Sequence, residues 1–337
     1  MRKFTIAFSI GLFLILMGSI SAVNAVPGPG YAGERNIEAT WIRTPQITVK
    51  IAENKPNIMF WDSSINDSTG VYNVWIHSIA ELFGDDMVLD NRSELNGQFY
   101  NLIRIDWTSE IVETETDLTV TLTSEELSNG AVVKFIFHAY FADKTVEETQ
   151  IATDDTATVV THEVKALSEV KFDIVVENWD FTPMAQALVL GVRINELQNR
   201  HTVRFNETTA PADGAALNRT RVGFVSDETE TAYFDWVPTY NVYDSDGLLT
   251  ETNNVTSTVA SYGLREDHGA ASGERFGVEY TNLFFLYENY GDNMTMIHDP
   301  TIGVDDSLVA EDDAPSFELA IVLTAMVTFA VIVRRRN

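Results

Sequence analysis

The sequence predicts an all-β protein, built as a β-sandwich or jelly roll. Runs such as Ile47–Ile51 and Val133–Phe141 alternate apolar and polar residues, which marks strands with one buried face. Turn-forming residues separate these runs, among them Asn129-Gly130 and the segment Asp244–Gly247. Between residues 40 and 300, no long stretch has the ~3.6-residue period of an amphipathic helix. Many short strands joined by such turns are typical of sandwiches.

The predicted β domain spans residues 37–304. Within it, Ala187–Ile194 is apolar on both faces, which predicts a central strand. The more polar stretches 195–231 and 249–280 are interpreted as long loops or weak strands of one large sandwich. A second small β domain, with its boundary near 195–231, is the alternative. A flexible lead rich in glycine and proline, residues 26–36, precedes the domain.

Residues 1–25 have the pattern of a secretory signal peptide. Arg2 and Lys3 precede the apolar run Phe4–Ile20, and small residues lead up to Ala25. A basic start, an apolar centre and small residues at the cleavage point are the three parts of such a signal. We therefore expect cleavage after Ala25, and an uncleaved anchor helix is the alternative.

Residues 317–337 are interpreted as a transmembrane or sorting segment with a basic tail. Leu319–Val333 carries no charge, and Arg334, Arg335 and Arg336 follow it. As a helix this run spans ~22 Å, which is less than the ~30 Å hydrocarbon core of a bilayer. Arginines stay on the cytoplasmic side, so we expect the β domain on the cell surface, anchored in the cytoplasmic membrane. A buried amphipathic helix is the alternative, but the run has almost no polar face.

The charge of the chain limits the classes of partner that it can bind. The 337 residues carry a formal charge of −28, include no cysteine and are 45% hydrophobic, which is enough apolar material for a packed core. So acidic a surface repels nucleic acid. No cofactor is expected, although loose binding of Ca²⁺ stays open. The acidic segment 305–316 is interpreted as a tether, and the lack of cysteine in so large an ectodomain favours a prokaryotic surface.

Six Asn-x-Ser/Thr sequons predict glycosylation, because such sites are used in exported chains. Most of them lie in predicted loops, where a bulky polar glycan is accommodated. Loop polarity without attached sugar is the alternative. The six acceptor residues are Asn66, Asn91, Asn206, Asn218, Asn254 and Asn293.

No enzyme motif is found, so no catalytic residue is assigned. The six histidines lack the spacing of a zinc helix, and the chain has no GxSxG elbow, P-loop or GxGxxG. Asp244 and Asp246, followed by a glycine, are similar to part of a calcium loop, but the acids at the first and last positions of an EF-hand are missing. A tight turn is the preferred interpretation, and these two residues are the weak Ca²⁺ candidates.

Among the tryptophans, Trp61 is the best candidate for an exposed ligand-binding ring, since it adjoins an acidic residue and a polar loop. Trp75 and Trp107 lie in strand-like runs and are expected to pack in the core. An exposed indole ring can stack on a sugar. Trp61 therefore carries the hypothesis of a carbohydrate site.

The C-terminus resembles the tripartite sorting signal of archaeal surface proteins that archaeosortase-like enzymes process. Its parts are a short motif, Pro315, Ser316 and Phe317, then the apolar helix and the terminal arginines. The better-known archaeal motif is Pro-Gly-Phe, and Ser316 stands in place of its glycine. The resemblance implies an archaeal cell-surface glycoprotein whose helix is removed and replaced by a lipid. A plain single-pass anchor is the alternative, and no family is assigned to the ectodomain.

Three functions compete. The leading hypothesis is a membrane-anchored, glycosylated envelope protein with a structural or interaction role, contacting other envelope proteins or glycans. The second is a surface-displayed module that binds carbohydrate or another solute, and it predicts an exposed aromatic strip. The third, a secreted hydrolase such as a glycosidase, requires two carboxylates ~5–9.5 Å apart across a cleft. We expect that the chain is not an enzyme.

Overall fold

The computed structural model describes residues 39–44, 46–63, 70–84, 87–89, 91–151, 157–166, 168–197, 202–209, 219–226, 229–259, 272–275 and 278–304. Across these ranges the chain is all-β and its strands pair antiparallel, as the alternation predicts. The predicted segments 1–25, 26–36, 305–316 and 317–337 lie outside the described residues. Among those that are described, no helix is long and apolar enough to cross a membrane.

Twenty-two strands and one short 3₁₀ helix, Arg92–Glu94, make up the described fold. In chain order the strands are β1 (Ala39–Arg43), β2 (Ile47–Ala52), β3 (Asn57–Asp62), β4 (Tyr72–Leu82), β5 (Phe99–Asn101), β6 (Trp107–Glu113), β7 (Asp117–Ser124), β8 (Val132–Tyr140), β9 (Lys144–Ile151), β10 (Ala157–Val164), β11 (Glu169–Glu177), β12 (Ala187–Glu196), β13 (Thr202–Thr209), β14 (Arg219–Ser226), β15 (Thr229–Trp236), β16 (Thr239–Tyr243), β17 (Leu249–Asn254), β18 (Thr256–Val259), β19 (Ser272–Arg275), β20 (Val278–Glu288), β21 (Thr295–His298) and β22 (Pro300–Val304).

Two large sheets and one separate hairpin contain these strands. The first sheet has the order β1-β2-β3-β4-β12-β20-β18, with β5 beside β4 and β19 beside β20. The second sheet has the order β13-β14-β15-β22-β11-β21-β16-β17, and β8, β7 and β6 extend it from β11. Strands β9 and β10 form the hairpin. Both sheets therefore join strands from distant parts of the chain.

The main core lies between the two sheets. Alternate residues of the central strands point into it, as Phe135 and Phe137 do from β8. Rings from opposite sheets meet there: the centroids of Phe234 and Phe285 are 6.2 Å apart. Full burial of such a side chain contributes about 1.5–3 kcal/mol. The hydrophobic effect between the inner faces therefore holds the sandwich together.

A second, smaller core covers one end of the outer face of the first sheet. Val189, Phe284 and Leu286 are buried there together with Leu89 from the segment that follows β4. Leu95, just after the 3₁₀ helix, packs against the same group. The covering segment does not extend over the part of that outer face nearer to β1, which forms a separate surface.

Several details of the sequence interpretation are confirmed. Strand β12, the apolar run, lies between β4 and β20 and is buried along nearly its whole length. Asp244–Gly247 forms the hairpin turn between β16 and β17, where Gly247 adopts a φ of 76°. The polar stretches 195–231 and 249–280, interpreted as long loops or weak strands, contain the strands β13, β14, β17, β18 and β19.

Candidate binding face on the first sheet

Three tryptophans of the first sheet point away from the inter-sheet core. Trp41, Trp61 and Trp75 alternate with buried core residues of β1, β3 and β4, and each ring is half-buried. Strand register sets Lys50 opposite Trp41 and Arg193 opposite Trp75. We call this surface, defined by Trp41, Lys50, Trp61, Trp75 and Arg193, the tryptophan face.

Cationic side chains lie over the rings of the tryptophan face. Trp41 and Trp61 contact edge to face, with centroids 5.9 Å apart. The guanidinium carbon of Arg43 lies 4.8 Å from the centroid of Trp41, and Lys50 Nζ lies 5.7 Å from it. Such contacts stabilise by about 0.5–1 kcal/mol at exposed sites. They hold the rings in place and collect positive charge on one face of an acidic protein.

Asparagine side chains form a ladder across the centre of the face. Asn57 Nδ2 donates to Asn73 Oδ1 at 3.0 Å, and Asn73 Nδ2 donates to Asn195 Oδ1 at 3.0 Å. Farther along, Arg193 Nε donates to Asn282 Oδ1 at 3.4 Å. The side chains come from four different strands, so the sheet register alone brings them together.

A buried histidine borders this ladder. His77 is 3% exposed and lies in β4 where the pairing with β12 shifts register beside Gly191. Burial, and secondarily the charge of Arg193, lower the pKa of His77 to about 3. The imidazole is therefore neutral at neutral pH and offers one donor and one acceptor.

The second sheet carries a different polar cluster on its outer face. Lys171 forms ion pairs with Asp173 and with Asp299, the latter at 3.3 Å, and His138 Nε2 lies 3.1 Å from Asp173. Burial, together with the neighbouring Asp173, raises the pKa of Asp299 to about 6 despite the attraction of Lys171. Two carboxylates that share one ammonium form an ion-pair network, which stabilises the strands that contribute it.

The structure places four of the six sequon asparagines. Asn91, Asn254 and Asn293 are exposed, and Asn293 lies in a turn with a φ of 57°. The Oδ1 atom of Asn91 accepts from the backbone N–H of Ser93 and begins the 3₁₀ helix. Asn206 lies in β13. Outside the described residues lie Asn66 and Asn218.

The structure also shows the positions of the tryptophans and of the calcium candidate Asp244. Trp61 is half-buried on the tryptophan face, and Trp107 is buried as expected, but Trp75 is only half-buried because its strand alternation points it outward. Asp244 Oδ1 accepts from the backbone N–H groups of Asp246 and Leu248, both at 2.9 Å, so this carboxylate closes the hairpin turn. The predicted residues outside the described part are Ala25, Pro315, Ser316, Phe317, Arg334, Arg335 and Arg336.

No group of three or more acidic or histidine side chains in the described part of the chain has a metal-binding arrangement. The tryptophan face instead combines flat rings, amide groups and cations. Sequence reasoning found Trp61 but missed Trp41, Lys50 and Arg193. The alternation in β1 and β2 would have placed Trp41 and Lys50 on outer faces, but only the sheet order sets them beside Trp61.

The described residues thus define an antiparallel, sandwich-like β protein with an aromatic and cationic outer face. Comparison of the chain with protein-family models finds no match, and a search of curated proteins finds none either. The geometry of the tryptophan face is therefore the starting point for its function.

Proposed function

We propose that this protein is a membrane-anchored, glycosylated cell-surface protein that contacts glycans of the envelope through its tryptophan face. The signal-peptide pattern of residues 1–25, the C-terminal apolar segment and the sequons support the location. One observation supports the role: Trp41, Trp61 and Trp75 stay half-exposed on one sheet face, while Trp107 and Trp179 are buried. The aromatic strip is what a surface-displayed binding module requires.

A glycan fits the chemistry of this face better than a protein partner does. The core of a protein–protein contact is mostly apolar and excludes charge. Here cations lie over the rings of Trp41 and Trp75, and buried, hydrogen-bonded asparagines lie beside them. Rings that stack on the apolar face of a sugar, next to cations that donate to hydroxyl groups, provide both kinds of contact that a saccharide offers.

The location is tested by intact mass and peptide mapping of the protein purified from its native membrane. We expect a chain that begins at Val26, carries hexose mass on sequon peptides and ends near Ser316 with a lipid. A chain that ends at Asn337 without sugar would make the segment a plain anchor and the sequons ordinary loop polarity. Recovery from the cytosol alone would refute the proposed location.

The role is tested by affinity electrophoresis of the purified full-length protein in gels containing envelope polysaccharide. The double change Trp41→Ala and Trp61→Ala should weaken retention at least tenfold, about 1.4 kcal/mol. Phe141→Ala is the control, since Phe141 is 51% exposed but lies just after β8, a strand of the other sheet. Equal losses in both variants, or no retention of the wild type, would refute the role.

A further inference from the structure

The chain contains two Asn-Gly pairs, and the fold holds them in different ways. Asn96-Gly97 lies between the 3₁₀ helix and β5, and Asn129-Gly130 lies in the turn between β7 and β8. An asparagine side chain reacts most readily with the backbone nitrogen of a following glycine, because glycine has no side chain to hinder the approach. The two pairs share this chemistry, so the surrounding structure decides which of them reacts.

The turn at Asn129 holds both reacting groups. The backbone N–H of Gly130 donates to the carbonyl of Leu127 at 2.8 Å. Asn129 Oδ1 accepts from the backbone N–H of Ala131 at 3.2 Å, and the Nδ2 atom of Asn129 is buried. A hydrogen-bonded N–H keeps its proton until the structure opens locally. Asn129 is therefore protected in the folded protein.

Asn96 has no such protection. Its side chain is exposed to solvent. Within the described part of the chain, neither that side chain nor the backbone N–H of Gly97 forms a hydrogen bond. No bond therefore has to open before the nitrogen of Gly97 loses its proton and approaches the amide of Asn96.

Packing requires a glycine at position 97. A Cβ atom there would come closer to Glu81 Oε2 and to the ring of Phe83 than nonbonded atoms approach. A larger residue, which would slow the reaction by hindering the attack, does not fit beside these two side chains. The fold thus retains the glycine that makes Asn96 reactive.

We propose that Asn96 is a site of spontaneous deamidation in the folded protein. The backbone nitrogen of Gly97, after losing its proton to solvent, attacks Cγ of Asn96 and closes a succinimide ring. The bond from Cγ to Nδ2 breaks, and the nitrogen takes up a proton from water and leaves as ammonia. Water then opens the ring at either carbonyl, which gives aspartate or isoaspartate, and each product carries one new negative charge.

Isoaspartate at position 96 strains the segment that β4 holds. The carbonyl of Glu94 accepts from the backbone N–H of Phe83 at 2.8 Å. The backbone N–H of Gln98 donates to Glu81 Oε2 at 3.0 Å, and the carbonyl of Gln98 accepts from the N–H of Glu81 at 3.0 Å. Asn96 lies between these two fixed points. The extra main-chain methylene of isoaspartate has to fit between them, so the modified protein should unfold at a lower urea concentration.

Ageing the purified full-length protein at mildly alkaline pH, followed by tryptic mapping, tests the site. The peptides 93–104 and 105–134 carry one Asn-Gly pair each. Peptide 93–104 should change from amide to acid mass, at residue 96, at least about tenfold faster than peptide 105–134, a barrier difference of ~1.4 kcal/mol. An isoaspartyl methyltransferase should label the same peptide. In urea-unfolded protein both peptides should react at similar rates, because the protection of Asn129 is lost.

Asn96→Gln is the test variant, and Asn129→Gln is the matched control. Asn96→Gln should show no change of mass at residue 96 and should keep the urea midpoint of its fresh sample, whereas Asn129→Gln should age as the wild type does. An unmodified peptide 93–104 in the aged folded protein, or equal rates for the two peptides, would overturn the site. An aged sample rich in isoaspartate that keeps the urea midpoint of fresh protein would overturn the effect on the segment.

Discussion

Glu81 allows a sharp test of how the fold positions its loops. Its side chain is fully buried near the end of β4 and points into the inter-sheet core. The carboxylate accepts from Trp179 Nε1 at 3.2 Å, from the backbone N–H of Thr182 at 2.8 Å and from that of Gln98 at 3.0 Å. One buried acid therefore fastens two loops to the first sheet.

The size of the effect follows from these three bonds. In Glu81→Gln an amide NH₂ replaces one carboxylate oxygen, so one of the N–H donors that bonded to Glu81 now faces another donor. The remaining hydrogen bonds also lose the negative charge that strengthened them. A hydrogen bond to a charged group contributes about 1.5–3 kcal/mol, so we expect a loss of about 3 kcal/mol. Glu81→Ala removes the acceptor of three donors, one of them buried and two part-buried, and adds a cavity, so it should cost about 5 kcal/mol or more.

Urea unfolding of the full-length protein, followed by tryptophan fluorescence, measures both losses. Glu113→Gln is the control, because Glu113 is exposed at the end of the edge strand β6 and should change stability by less than about 0.5 kcal/mol. If Glu81→Gln costs less than about 1 kcal/mol, the three bonds do not carry the stabilisation assigned to them.

Three further predictions concern single residues. The pKa of His77 is lowered from 6.5 to about 3 in the folded protein, so between pH 7 and pH 5 the unfolded chain binds a proton at His77 and the folded chain does not. The free energy of unfolding should therefore fall by about 2 kcal/mol over this pH range. Urea unfolding of His77→Phe should lack this decrease. Met184 has a φ of 76° and is 87% exposed, so Met184→Gly should raise the urea midpoint by the equivalent of about 0.5–1 kcal/mol; an unchanged or lower midpoint would show that the turn is unstrained. Asn293→Gly should remove the mass of one glycan from the native protein without lowering stability, because glycine adopts the φ of 57° freely; an unchanged mass would exclude this sequon.

Local patterns predict some strands of this protein but not their partners. β8 was recognisable because Phe135 and Phe137 alternate with polar neighbours, and β12 because both of its faces are buried. The pairing of β4 with β12 joins residues more than a hundred positions apart, as Trp75 with Arg193. Period-two alternation states which face a residue occupies and says nothing about which strand lies alongside.

The same reasoning explains why the candidate site was only partly foreseen. Trp61 stood out because a polar loop follows it, whereas Trp75 lies in an apolar run that predicts burial. The asparagine ladder has no sequence signature either, since asparagine is an ordinary residue of strands and turns. Asn57, Asn73 and Asn195 meet only because the sheet order brings β3, β4 and β12 together.

The charge of the chain favours neutral sugars over acidic polymers at the tryptophan face. With a net charge of −28, the protein repels a polyanion at long range. Salt screens this repulsion beyond a Debye length of ~8–10 Å. The cations at Trp41 attract a polyanion over a similar distance, so the two effects oppose each other. Neutral hydroxyl groups are insensitive to both. The affinity of the tryptophan face for a neutral glycan should therefore vary little with ionic strength.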